Sequence, residues 1–113
     1  MQPIDRAALL APHEFASEIE RGRALAILDR IERSVDALCP LCARALVAQE
    51  IVESIVLGFQ DTPHCHRCLA EEHGSTAAEF LTRIEGYVAA IACFRATWSI
   101  AAALGGRISL DPP

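Results

Sequence analysis

The sequence predicts an all-α fold, a small bundle of about three main helices that carries two Cys-x-x-Cys pairs. Three observations predict it. Of 113 residues 20 are alanine and only six are aromatic, so a core must be built from Ala, Leu, Ile and Val, which favours closely packed helices. Apolar residues recur at steps of three and four over long stretches. Thr76 and Glu79 stand at capping-box spacing before the longest of these stretches. The length suits one domain, 1–113, with a core that gains from a metal staple or a partner.

The first helix is expected over about 14–38, from Phe15, Ile19, Leu25, Leu28, Ile31, Val35 and Leu38, with Glu18, Arg21, Asp29, Arg33 and Asp36 on a solvated face. Pro40 suits a first helical position, where its missing N–H costs nothing, so a second helix is expected to start at Cys39–Cys42 and to run to about 55–58, where Gly58 supplies a left-handed stop. Residues 59–64, with Asp61 and Pro63, read as a loop that delivers Cys65-His66-Arg67-Cys68. A long third helix follows over 76–104. The tail 107–113 is expected to be disordered or extended, with Ile108 and Leu110 able to pack as a strap.

From Gly86 to Gly105 run 20 mostly apolar residues, a length that could cross a bilayer, but Arg95 sits mid-run and alanine supplies little insertion energy. No membrane span is expected. Three helices scarcely cover so apolar a segment, and Gly86, Ala90, Ala92, Ala96 and Ala103 permit close approach. A homodimer through the 76–104 helix is therefore expected, with another protein as a further partner. The formal charge of −5 and the absence of a basic cluster exclude nucleic acid as a partner. Met1 to Arg6 leads into an acidic segment instead of a basic and then apolar leader, so a cytoplasmic protein is expected. In that reducing compartment thiols stay free, bind metal or cycle in catalysis.

Cys39, Cys42, Cys65 and Cys68 are the candidate metal ligands. A turn brings both sulfurs of a Cys-x-x-Cys pair to one ion, and two pairs complete a tetrahedral shell. The pairs are separated by 22 residues, so a shared site depends on where the second helix ends. If it ends near 55, residues 56–64 can reach back about 30 Å over a helix about 20 Å long; if it continues to 58, the remaining six cover only about 20 Å. Cys93, alone on an apolar helix, reads as core. His64, His66 and His73 crowd the second pair and could replace or orient a ligand, and read otherwise as polar loop residues; His13 has no visible partner. Glu50 and Glu53 read as surface.

Structural zinc, which adds folding energy without catalysis, is the first reading of the four thiols, in an accessory or protein-interaction module. Dithiol redox chemistry is the alternative, because a helix start at Cys39 and Cys42 would stabilise a thiolate. Cys65-His66-Arg67-Cys68 followed by His73 is similar to the Cys-x-x-Cys-x-x-x-His signature of the all-helical alkylhydroperoxidase-like AhpD family, with the histidine one residue later. That resemblance covers nine residues and implies a thiol-dependent oxidoreductase. An iron–sulfur cluster or Cu(I) also accepts four thiolates. No catalytic triad, phosphate loop or paired-carboxylate constellation is present.

Overall fold

The computed structural model describes residues 5–59 and 61–110. The expectations for Met1 to Ile4, for Gln60 and for the tail end at 111–113 lie outside the described residues. Six helices and no strand occur among the described residues: α1 (Arg6–Leu10), α2 (Glu18–Ser34), α3 (Ala48–Val56), α4 (His66–Glu72), α5 (Ala77–Ala90) and α6 (Ala92–Ala103).

The first expected helix is shorter than its apolar pattern. Ser17 caps α2 by accepting from Glu20 N–H at 3.2 Å. Val35 is extended and Asp36 left-handed (φ 69°), which ends the helix well before Leu38. Before it, Asp5 caps the single-turn α1 through Ala8 N–H at 3.2 Å, an element too short for its periodicity to announce. Leu10 is buried from α1, and Arg6 bridges to Asp29 and Glu32 on α2, both at 3.1 Å.

The second helix does not start at Pro40. Residues 38–45 form a tight hairpin closed by an isolated bridge between Leu38 and Ala45, with Cys39 N–H donating to Arg44 C=O at 2.8 Å and Ala43 left-handed (φ 62°). The helix begins at Ala48, where the Glu50 carboxylate accepts Val47 N–H at 2.9 Å. It ends at Val56, and Gly58 (φ 90°) makes the expected left-handed stop.

The loop after α3 leads into a helix that the sequence did not announce. α4 has seven residues and buries only His66, Leu69 and Ala70, too short a stretch to show a period. Gly74 (φ 66°) stops it. The Thr76 capping box is present as expected: Thr76 Oγ1 accepts Glu79 N–H at 3.1 Å and Glu79 Oε1 accepts Thr76 N–H at 3.2 Å.

The expected 76–104 helix is broken at Ile91, which is extended (φ −127°, ψ 122°). The Arg95 guanidinium donates to Ala89 C=O at 2.7 Å, a carbonyl that the break deprives of its helical partner. The break lets α6 pack on α2, α3 and α5, burying Cys93, Ala96, Thr97, Ile100 and Ala101 within the chain. Within the apolar segment Val88 is buried as well, while Tyr87, Ala89, Ala90, Ile91 and Ala103 stay exposed. No helix is long and apolar enough to cross a membrane.

Two apolar clusters result. The larger unites α1, α2, α3 and α6 with Cys39 and Cys65; the smaller joins Leu69 and Ala70 of α4 to Phe80, Ile84 and Val88 of α5, and Val56, Phe94 and Trp98 touch both. The described part of the tail is an extended strap that buries Ile108 and leaves Leu110 exposed. Gly106 C=O accepts Gln49 N–H at 2.8 Å and Gln49 Oε1 accepts Ile108 N–H at 2.9 Å. Gly106 lies so close to Ala48 that a Cβ would collide with it.

Candidate metal centre

Two turns deliver the four cysteines. The hairpin at 38–45 presents Cys39 inward, where it is buried, and Cys42 outward. The second pair sits at the start of α4, with Cys65 as its N-cap residue and Cys68 in its first turn. Ser54 fixes the approach: its Oγ accepts His64 N–H at 3.0 Å and donates to His64 C=O at 3.2 Å, locking the residue before Cys65 to the end of α3.

All four Sγ atoms lie within 4.8 Å of one another, and Cys42 and Cys65 are 3.6 Å apart. None is in a disulfide. The condition set by chain reach is met, since α3 ends at Val56 and the two pairs share one site. Such an arrangement offers four convergent sulfur donors to one metal ion, with the hairpin on one side and α4 on the other.

The backbone prepares the thiols unequally. Burial acts to raise the Cys39 thiol, but N–H groups of Cys65, Leu41 and Cys42 and the Cys42 thiol outweigh it and hold it at about 6. The Cys65 N–H stands 3.4 Å from Cys39 Sγ. Burial pushes Cys65 up to about 11, aided by the Cys42 thiol and the Cys39 charge. Burial also pushes Cys68 up, with the neighbouring thiols adding to it. In the absence of a cation, then, burial and the neighbouring thiols keep Cys65 and Cys68 protonated; a bound cation would oppose this by favouring their thiolates.

No histidine joins the sulfur cluster among the described residues. His66 is instead a buried structural group: its Nδ1 lies 2.6 Å from Glu53 Oε2, its Nε2 2.7 Å from Ala77 C=O, and its N–H donates to Glu50 Oε2 at 2.7 Å. The Ala77 carbonyl only accepts, so Nε2 carries a proton, and a second proton is held between Nδ1 and Glu53. Burial lowers the imidazole pKa, but the Glu53 carboxylate outweighs it, and the net direction is up. Burial likewise pushes Glu53 up.

This corrects the reading of Glu50 and Glu53 as surface. Every residue from Ala48 to Ser54 is buried, so α3 turns no face to solvent over that stretch, and its carboxylates are kept inside by the start of α4. Their partner lies more than ten residues away, and no local pattern signals it. His73 donates through Nδ1–H to Leu69 C=O, 2.8 Å away, and its ring lies against that of Phe80. The His64 ring rests on Phe59. Cys93 is buried in the core, as expected, and takes no part in the sulfur cluster.

Comparison with known protein families, with curated proteins and with solved structures returns no match to this chain. Fold and site together define an all-helical protein with a convergent tetracysteine cluster.

Proposed function

We propose that the protein is a cytoplasmic zinc-binding module in which Cys39, Cys42, Cys65 and Cys68 hold a structural zinc ion, in an accessory or protein-interaction role. The observation that carries this reading is the mutual approach of the four sulfurs. Thiolates around a zinc ion at about 2.3 Å stand about 3.8 Å from one another. The 3.6 Å between Cys42 and Cys65 and the 4.8 Å upper limit bracket that edge. An iron–sulfur cluster interposes several irons and sulfides and asks for a wider shell.

The redox alternative loses the helix start expected at Cys39 and Cys42, which lie in a hairpin, although backbone N–H groups still hold the Cys39 thiol at about 6. What still favours it is the exposed Cys42 beside Cys65. A partner protein suits the exposed Leu38 (63 %) and Leu41 (59 %), which flank the cysteines on the outer hairpin.

The test is metal analysis of protein purified without chelator, with thiol counts before and after metal removal. The expected result is one zinc per chain, with the four thiols reactive only after chelation and with chelation lowering the melting temperature. A metal-free chain holding a reducible disulfide would sink the zinc reading in favour of redox chemistry. A coloured, sulfide-containing protein would sink it in favour of a cluster.

A further inference from the structure

Away from the sulfur cluster, a groove of about 490 Å³ runs between α2 and the start of α6. Its apolar wall is Ala26 and Ile27 of α2, Ile55 of α3, Ile91 at the helix break, and Cys93 and Phe94 of α6. Its rim is cationic. Arg23 stands three and four residues before Ala26 and Ile27, and Arg30 and Arg33 four and seven residues after Ala26, along one face of α2, and all line the groove.

The one carboxylate among the lining residues is already engaged. Asp29 meets Arg33 at 2.8 Å and Arg6 at 3.1 Å. Arg30, by contrast, has among the described residues only a 3.9 Å approach to Asp61, itself 95 % exposed, an ion pair too long and too wet to hold the guanidinium. Arg23 forms no ion pair among the described residues. A positive ridge over an apolar trough therefore stands on a protein of net charge −5. The volume lies inside the range of small-molecule sites, which combine an apolar lining with a few placed polar groups.

We propose that this groove binds a small amphipathic carboxylate of the fatty-acid class. The headgroup sits on Arg30, whose guanidinium can take a carboxylate through two parallel N–H donors, with Arg33, held by Asp29, one turn further on. The apolar body lies on Ile27, Ile55 and Phe94 toward Ile91. Binding is non-covalent: Cys93 is buried, and burial keeps its thiol protonated. The ordinary alternative is that the arginine stems merely shield the apolar trough.

The test titrates decanoate into the zinc-loaded full chain by calorimetry, with amide NMR shifts to locate it and decylammonium as the charge-reversed control. Saturable one-site binding is expected, with shifts centred on 23–33, 55 and 91–94. Arg30→Glu is expected to weaken it about tenfold or more, the loss of one charge-assisted contact, and Arg30→Gln to weaken it less, with zinc content and melting temperature unchanged in both. Equal affinity for decylammonium, no saturation up to millimolar decanoate, shifts centred elsewhere, or unchanged affinity in Arg30→Glu would each overturn the proposal.

Discussion

Replacing Glu53 by leucine isolates the energetic role of the buried pair. The two side chains are of similar size, so the change removes a charge and an acceptor without opening a large cavity. Glu53 is fully buried and stands 2.6 Å from the Nδ1 of His66, which is itself buried. Removing one partner of such a pair costs about 3 to 5 kcal/mol, because the other is left charged or unpaired in the interior. His66 can shed its extra proton once the carboxylate is gone, which places the expected loss near the lower figure. That is still a large part of the roughly 5 to 15 kcal/mol that holds a domain folded.

The assay is urea unfolding of the metal-saturated protein at pH 7.5, with an unchanged m-value expected. A melting temperature lower by roughly 10 to 30 °C corresponds to the same loss. The variant also acquires a pH signature. Its imidazole, deprived of Glu53, has a folded pKa below the unfolded value of about 6.5, so stability falls further as pH drops through that value. The double variant Glu53→Leu/His66→Leu should lose less than the sum of the single changes, since no unpaired charge then remains. A loss under about 1 kcal/mol in Glu53→Leu would refute the reasoning, since it falls well below the cost of removing one partner of a buried pair.

Serine at Cys39 or Cys65 should abolish stoichiometric metal binding, read by metal analysis, and remove the thermal shift on chelation. In the metal-free, reduced chain the Cys39 thiol is depressed to about 6 from 9.0. Such a group adds stability above its unfolded value that is lost as pH falls through the folded one, whereas the raised His66 imidazole works in the opposite sense over the same window; the Cys39 part is therefore read as the difference in urea midpoint between the parent and Cys39→Ser, which should widen in the parent's favour from about pH 6 to 8. Gly106→Ala should destabilise by about 1 to 3 kcal/mol, because the added methyl collides with Ala48 and displaces the strap held by Gln49; a midpoint within error of the parent would contradict this. Sedimentation across a wide concentration range tests self-association, for which the exposed Tyr87 and Ile91 offer contact surface.

What the sequence disclosed and what it hid divides by range. The Thr76–Glu79 cap, the Gly58 stop and the paired cysteines are features of a few adjacent residues, and each appears as its spacing implied. The break at Ile91 was not visible because the residues on either side keep helical periodicity; only the Arg95 contact with Ala89 marks it. The hairpin around Pro40 depends on left-handed Asp36 and Ala43, neither a glycine. Proline there is as compatible with a turn as with a helix start, and the choice is made by the bridge from Leu38 to Ala45. Glu50, Glu53 and His66 escaped recognition because their burial is decided by one another.

A structural metal fits the placement of these cysteines as well as their number. The hairpin has one bridge and an outer face of exposed Leu38, Pro40, Leu41 and Cys42, and so little apolar burial of its own. The seven-residue α4 is likewise too short to stand as an isolated helix. α4 is tethered to α3 by the His66 N–H on Glu50 Oε2, and the other oxygen of Glu50 caps the start of α3 at Val47, just past the hairpin. The sulfur cluster lies where these two weakly supported pieces meet. A cation there would cross-link them across the 22 residues between Cys42 and Cys65, closing a loop that neither piece closes by its own burial.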